Sequence, residues 1–144
     1  VKMVPRGEPI GYGLTERLRR PTTVAILPIG YWHGFDRGLS SVGEVLIRGR
    51  RAKVLGRVSM DMTAVDITHI GGNQKVNVGD EVVLIGRQAP LEARRRRRLP
   101  RLGRGPLTGQ GREFISADEV ANKLGTISYE VLTRVNPLIR RVVV

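Results

Sequence analysis

The 144-residue sequence contains no cysteine, only two histidines and few aromatic residues (one Trp, three Tyr and two Phe). Without cysteine the chain can form no disulfide bond, thiolate metal site or cysteine nucleophile. With only two histidines as nitrogen ligands, we also expect no bound metal. No apolar run approaches the ~20 residues that cross a bilayer, and the first residues do not resemble a signal peptide. We therefore expect a cytoplasmic protein with no membrane contact.

The sequence carries an excess of positive charge, with 25 Lys and Arg against 13 Asp and Glu and a formal net charge of +12. Between residues 89 and 112, eight arginines accompany a single acid. Residues 89–111 combine an Arg run with Pro and Gly and show no apolar periodicity, which predicts a disordered insertion in one domain of residues 1–144. Such a run could bind nucleic acid phosphates, but no aromatic residues are interleaved with it, so this partner is disfavoured.

Short apolar runs separated by turns make up most of the remaining sequence, which is rich in glycine (18) and also has 8 prolines. This pattern is typical of β-strands. We predict a turn at residues 49–51 between two strands of a hairpin. The predicted strands cover residues 22–28, 43–48, 52–59, 62–67, 80–85 and 140–144.

One helix is predicted near the C-terminus. Ser116 and Glu119 have the spacing of a capping box, and Gly125 is placed to end the helix. Val120, Leu124 and Ile127 follow at helical spacing. The fold class is therefore mainly β, a small closed or partly open β-barrel with one short helix.

Four short segments carry side chains that could serve a binding site. Tyr12 lies between two glycines, an arrangement that can present a hydroxyl group instead of packing the ring. Half of the six aromatic residues cluster in residues 27–35, at the end of a strand. Met60 and Met62 flank an acid, and Tyr129 follows the predicted helix. Each feature alone is more typical of a structural role: a surface turn, the cap of a core, buried methionines or a packed ring.

The order of these segments along the chain resembles that in the C-terminal domain of alanine racemase. The resemblance covers nearly the whole chain except the Arg-rich insertion, and several motifs in the same order are far more specific than any one of them. The motifs are Gly-Tyr-Gly-Leu-Thr at residues 11–15, Pro-Ile-Gly-Tyr at 28–31, Gly-Arg-Val-Ser-Met-Asp-Met at 56–62, Val-Gly-Asp-Glu-Val-Val-Leu-Ile-Gly at 78–86, Ile-Ser-Ala-Asp-Glu at 115–119 and Ile-Ser-Tyr-Glu at 127–130.

The resemblance implies a pyridoxal-phosphate-dependent isomerase that interconverts L- and D-alanine for peptidoglycan synthesis in the cell wall. In that family a barrel domain holds the cofactor on a lysine, and the C-terminal domain completes the active site of the partner subunit in a homodimer. The barrel is absent from these residues, and Lys2, Lys53, Lys75 and Lys123 match none of the family's lysine contexts. We expect a piece of a longer protein that alone neither binds pyridoxal phosphate productively nor racemises alanine.

The resemblance also implies roles for individual residues. Tyr12 matches the base that deprotonates the L-enantiomer, and Tyr31 matches a tyrosine that lines the substrate entrance. The remaining matches are Met60, whose backbone helps to hold the substrate carboxylate; Tyr129, whose hydroxyl contacts the cofactor phosphate; and Arg37 and Arg57, which line the access corridor and attract a carboxylate.

Three residues depart from the family pattern. Trp32 and His33 follow the entrance tyrosine, where a small residue and an acid are common, so we expect an altered corridor. Ser59 stands where cysteine is common. Serine remains open as a substrate beside alanine. The alternative functions are a basic nucleic-acid-binding module and a dimerisation module of β structure that has lost catalysis.

Overall fold

The computed structural model describes residues 1–70, 75–88, 113–140 and 142. Within these residues the chain is mainly β, as predicted, and each strand is short. Three single 3₁₀ turns lie among the strands, at Tyr12–Leu14, Tyr31–His33 and Arg37–Leu39. The strands are β1 (Lys2–Val4), β2 (Pro9–Ile10), β3 (Glu16–Arg17), β4 (Thr22–Leu27), β5 (Glu44–Ile47), β6 (Arg50–Leu55), β7 (Thr63–Asp66), β8 (Val82–Val83), β9 (Gly86–Gln88) and β10 (Glu113–Ile115); the helices are α1 (Ala117–Leu124) and α2 (Ser128–Thr133).

Six strands form one antiparallel sheet in the order β1-β4-β7-β6-β5-β8. The edge strands β1 and β8 do not pair with each other in the described part of the chain, so the sheet is open and the expectation of a closed barrel is wrong. Two small sheets complete the β structure. The β2–β3 pair carries Ile10 opposite Glu16, and the β9–β10 pair carries Gln88 opposite Glu113.

The β5–β6 hairpin differs from the sequence prediction at its turn. Ile47 pairs with Arg50, so the turn consists of Arg48 and Gly49 instead of residues 49–51. Both turn residues have positive φ, +54° and +74°, as a two-residue hairpin turn of type I′ requires. The prediction missed this boundary because arginine rarely adopts that conformation.

Helix α1 begins and ends where its capping residues predict. The Ser116 hydroxyl accepts a hydrogen bond from the Glu119 amide at 2.9 Å, and Gly125 ends the helix with φ +69°. Val120 is buried and Leu124 packs against the core. Ile127 lies beyond the helix and is 64% exposed, so its assignment to the helical apolar face is wrong. It precedes α2, a second helix that the sequence analysis did not predict.

The largest group of buried side chains lies between the six-stranded sheet and the helices. Fully burying a Val, Leu or Ile side chain contributes about 1.5–3 kcal/mol, so this cluster is the main source of stability. Six of its least exposed members lie on β5, β6 and β7: Val45, Leu46, Ile47, Ala52, Val54 and Val65. Val120, Ala121 and Val131 from the two helices complete the cluster.

A group of charged side chains, the Arg51 cluster, ties the helix to the sheet. The Arg51 guanidinium on β6 contacts Glu44 at 2.9 Å, Glu119 at 2.6 Å and Glu113 at 3.3 Å, and Lys123 contacts Glu44 at 2.8 Å. The hydrogen bond from Arg51 lowers the pKa of Glu119 to about 2 and raises that of Arg51. Burial opposes ionisation of Glu44, but hydrogen bonds from Lys123 and Arg51 outweigh it and lower its pKa. The cluster therefore joins β5, β6, β10 and α1.

Some sequence predictions concern residues that the structure does not describe. The insertion predicted at residues 89–111 lies outside them, as do three residues of the strand predicted at 140–144. The strand predicted at 80–85 is shorter, Val82–Val83. No helix within the described ranges is long and apolar enough to cross a membrane.

Candidate functional site

A groove on the surface brings together four of the residues selected from the sequence. Tyr12, Tyr31, Arg37 and Met60 line it together with the rest of the 58–62 segment, and its volume is about 360 Å³. We call it the tyrosine groove. Its residues come from three segments that are separated by about 20 positions each along the chain, so only the fold makes them neighbours.

The first wall of the groove is the 3₁₀ turn that carries Tyr12. Gly11 has φ +81°, and a Cβ at this position would lie 2.6 Å from the Arg57 nitrogen, so only glycine fits against the end of β6. The Tyr12 amide faces the Arg57 carbonyl oxygen at 3.4 Å. Tyr12 is 65% exposed, so much of the residue is accessible at the surface.

The second wall is the turn that carries Tyr31, and it is bonded directly to the 58–62 segment. The Tyr31 amide donates to the Ser59 carbonyl at 3.0 Å, and the Trp32 amide donates to the Met60 carbonyl at 2.9 Å. A Cβ on Gly30 would overlap the Ser59 carbonyl oxygen, so this close approach also requires glycine. Backbone hydrogen bonds and close packing therefore join the Pro-Ile-Gly-Tyr motif directly to the Ser-Met-Asp-Met motif.

The Met60 backbone is available for a ligand. Its carbonyl is used by Trp32, but its amide N–H donates to no protein atom within the described residues, and the residue is 53% exposed. An exposed backbone N–H that has no protein partner can bind a carboxylate oxygen.

The two arginines line two different hollows, and Tyr12 lines both of them. Arg37 lines the tyrosine groove from a 3₁₀ turn that Asp36 caps, with the Asp36 carboxylate accepting from the Gly38 amide at 2.7 Å. Arg57 lines an adjacent hollow that it shares with Tyr12. Both side chains are exposed, so each can attract a small anion.

Tyr129 does not belong to the tyrosine groove. It lies at the start of α2, is 77% exposed and lines a separate hollow with Ser128 and Thr126. No described residue lines both hollows.

The two departures beside Tyr31 point away from the tyrosine groove. The His33 ring accepts a hydrogen bond from the Gly30 amide at 3.2 Å and lines an apolar cavity of about 260 Å³ on another side of the turn. Trp32 stacks edge-to-face on His33 with ring centres 5.0 Å apart. Neither residue lines the groove, so this structure shows no alteration of the groove by the two rings.

Sequence reasoning missed the residues that hold the groove together. The Glu16 carboxylate accepts hydrogen bonds from the Gly56 amide at 2.7 Å and from the Ser41 hydroxyl at 2.6 Å. The Ser40 hydroxyl accepts from the Val58 amide at 3.1 Å. These partners are 18 to 40 positions apart, and no local motif signals such contacts.

The described residues offer neither a metal site nor a lysine in the groove. No group of three His, Asp or Glu side chains among them could hold a metal ion. None of the residues lining the groove is a lysine, and Lys123 is engaged in the Arg51 cluster.

Solved structures with the same fold are C-terminal parts of amino-acid racemases. The chain superposes on alanine racemase from Bartonella henselae with covalently bound pyridoxal phosphate (TM-score 0.73, 29% identity, 98% of this chain and 32% of that one). It also superposes on alanine racemase from Bacillus anthracis with bound L-Ala-P (TM-score 0.69, 34% identity, 93% of this chain and 28% of that one).

The sequence assigns the chain to one family within this class. A family model, "Alanine racemase, C-terminal domain", matches residues 1–98, and the chain belongs to that family. Alanine racemases from Leptospira interrogans and Methylacidiphilum infernorum are 40% and 39% identical over 97% and 98% of this chain. The chain spans about 30% of the length of these curated relatives.

Proposed function

We propose that this chain is the C-terminal domain of an alanine racemase that interconverts L- and D-alanine for peptidoglycan synthesis in the cytoplasm. The domain supplies the Tyr12 hydroxyl to a pyridoxal phosphate site in the barrel domain of a partner subunit, within a homodimer. The supporting observation is the tyrosine groove, which joins Tyr12, Tyr31, Arg37 and the Met60 backbone on an exposed surface.

Tyr12 moves the proton on the face of the substrate that this domain covers. Pyridoxal phosphate, when bound, withdraws electrons from the substrate and acidifies its Cα–H bond. Racemisation then needs an acid–base group on each face of the planar Cα atom. The Tyr12 oxygen takes the Cα proton from L-alanine, and Arg57 lines the hollow beside Tyr12.

The other groove residues bind and orient the substrate. The Met60 amide N–H donates to the alanine carboxylate, and Arg37 attracts that carboxylate to the groove. The Tyr31 ring covers the entrance. Tyr129, which is largely exposed, donates its hydroxyl to the cofactor phosphate from the separate hollow.

A chimeric enzyme tests this function. In it, this chain replaces the matching C-terminal segment of the Leptospira interrogans relative, to which it is 40% identical. We expect the chimera to racemise L-alanine and Tyr12→Phe to lower kcat/KM by about 10²–10⁴-fold, the usual contribution of a positioned acid–base group. L- and D-alanine have equal free energies, so kcat/KM must fall equally in both directions.

Proton exchange in D₂O identifies the face that Tyr12 serves. The Tyr12→Phe chimera is expected to exchange the Cα proton of D-alanine, because the second base remains, and to lose exchange with L-alanine. Tyr12→Phe activity equal to that of the unaltered chimera would refute the role of Tyr12. A dimeric, folded chimera without racemisation would refute the proposed function.

A further inference from the structure

We propose that Glu16 is a positioning residue of the tyrosine groove, which fixes the turn of Tyr12 and the turn of Arg37 to the end of β6. The inference rests on the proposed function for its meaning in catalysis, since it takes the groove as the active site. The contacts themselves do not depend on that function.

Three residues from three segments form a closed ring of hydrogen bonds. One oxygen of Glu16 on β3 accepts from the Gly56 amide at 2.7 Å and from the Ser41 hydroxyl at 2.6 Å. The Ser41 amide donates to the Gly56 carbonyl at 3.0 Å. Gly56 is buried, and Glu16 and Ser41 are half-buried. The amide and the carbonyl of Gly56 are thus each hydrogen-bonded to a partner from another segment of the chain.

Gly56 is also the residue on which the Tyr12 turn rests. Its φ is +63°, and an added Cβ would lie 2.6 Å from the Ile10 carbonyl oxygen and 2.8 Å from the Gly11 Cα atom. Reciprocally, a Cβ on Gly11 would lie 2.6 Å from the Arg57 nitrogen. The two backbones are in direct contact, so a shift of Gly56 moves the turn that presents the Tyr12 hydroxyl.

The same ring anchors the turn of Arg37, which also lines the groove. Ser41 is held at φ +59°, a conformation that non-glycine residues adopt only when their surroundings impose it. Next to it, the Ser40 hydroxyl donates to the Arg37 carbonyl and accepts from the Val58 amide. The turn of Arg37 is therefore tied to residues 56–58, as is the turn of Tyr12. Glu16 joins the two through a single carboxylate oxygen.

The chain contains a matched interaction far from the groove. Gln88 accepts from the Gly49 amide at 2.9 Å through its side-chain oxygen, and Gly49 also has positive φ, +74°. Gln88 is 2% exposed and does not line the groove. Gln88→Ala therefore removes this hydrogen bond, and the one that the Gln88 side-chain amide donates to the Glu81 carbonyl, without removing a residue that lines the groove.

Steady-state kinetics of the chimera test the inference. Glu16→Ala removes the acceptor, whereas Glu16→Gln keeps one oxygen that can accept both hydrogen bonds. We expect Glu16→Ala to lower kcat by about tenfold or more, because small misplacement of a catalytic group is costly, and Glu16→Gln to recover most of this loss. The Cα-deuterium isotope effect on L-alanine should rise in Glu16→Ala, since proton transfer to Tyr12 becomes slower. Gln88→Ala should lower the Tm and leave kcat and the isotope effect unchanged.

If Glu16→Ala and Gln88→Ala both lose kcat in proportion to their loss of Tm, the inference is overturned. Full activity of Glu16→Ala would also overturn it. If the unaltered chimera is inactive, the proposed function fails and the inference is decided on the 144-residue chain by NMR. There, Glu16→Ala should shift the amide signals of Gly56, residues 11–14 and residues 37–41 but not Gly49, and Glu16→Gln should restore them. Unchanged signals in residues 11–14 would overturn it.

Discussion

At the scale of single residues, glycines decide where the tyrosines can lie. Gly11, Gly30 and Gly56 each face another backbone at a distance that leaves no space for a methyl group. Gly79 has positive φ, as Gly11 and Gly56 do, but no atom lies within 4 Å of a Cβ added to it. Two causes of a glycine requirement, backbone conformation and close approach, can therefore be separated in this chain.

Gly56→Ala should destabilise the chain by about 3 kcal/mol. About 1–2 kcal/mol comes from placing a Cβ at positive φ, and the remainder from the contact with the Ile10 carbonyl. Urea unfolding followed by the fluorescence of Trp32 measures the change. Gly79→Ala is the control and should show only the conformational part. Equal losses in the two variants would mean that the backbone contact at Gly56 is unimportant.

At the scale of secondary-structure elements, the Glu119 side chain joins the Arg51 cluster, whereas the predicted capping box would use it at the start of α1. The Ser116 half of the box is formed, but the Glu119 carboxylate contacts Arg51 on β6. A residue that would serve its own helix thus attaches that helix to the sheet. Its ordinary pKa of 4.5 falls to about 2, mainly through the hydrogen bond from Arg51.

This pKa shift predicts how stability depends on pH. Because the pKa is lower in the folded chain, the stabilisation by Glu119 is complete above about pH 5 and is lost as the pH falls through 4.5 towards 2. Glu119→Gln should reduce the free energy of unfolding at pH 7 by about 1–3 kcal/mol and flatten its decline below pH 4.5. The control, Asp118→Asn on the same helix, should change stability by only about 0.5 kcal/mol. An unchanged pH profile in Glu119→Gln would contradict the prediction.

The sequence predicts elements well where local chemistry determines them and poorly where distant residues do. Helix α1 follows from Ser116 and Gly125, and β4 from its run of β-branched and apolar residues. The six-residue helix α2 has no side-chain cap and was missed. Whether the sheet closes into a barrel depends on whether its edge strands β1 and β8 pair with each other, and no local sequence pattern determines this pairing.

The candidate site divides in the same way. Tyr12, Tyr31 and Met60 were selected through the order of their motifs, and the structure brings them to one groove. Glu16 and Ser41 could not be selected, because each acts through a partner that is 15 or more positions away. Residues that touch a ligand often lie in recognisable motifs, whereas residues that support them are defined only by the fold.

At the scale of the whole molecule, the chain presents both candidate contact regions outward. Tyr12 and Tyr129 are 65% and 77% exposed and lie in separate hollows, and no lysine lines the tyrosine groove. These features support a domain that closes over a site held by another domain.

The 144-residue chain alone should therefore show no racemase activity. Adding pyridoxal phosphate should give no stable visible absorbance band beyond that of a control protein with the same number of lysines, while the chimera should give such a band and racemise alanine. Stable binding together with turnover by the chain alone would contradict the proposed division between two domains.

The pairing of Gln88 with Glu113 has a consequence for protein engineering. The polypeptide leaves the described fold at residue 88 and returns at residue 113 on the neighbouring strand, so the 24 residues between them start and finish at adjacent points. Closing a longer segment between fixed ends costs only about 0.6 kcal/mol for each doubling of its length. This hairpin is therefore the natural insertion point for a fluorescent label or affinity tag, and it allows the Arg-rich stretch to be exchanged while the groove keeps its shape.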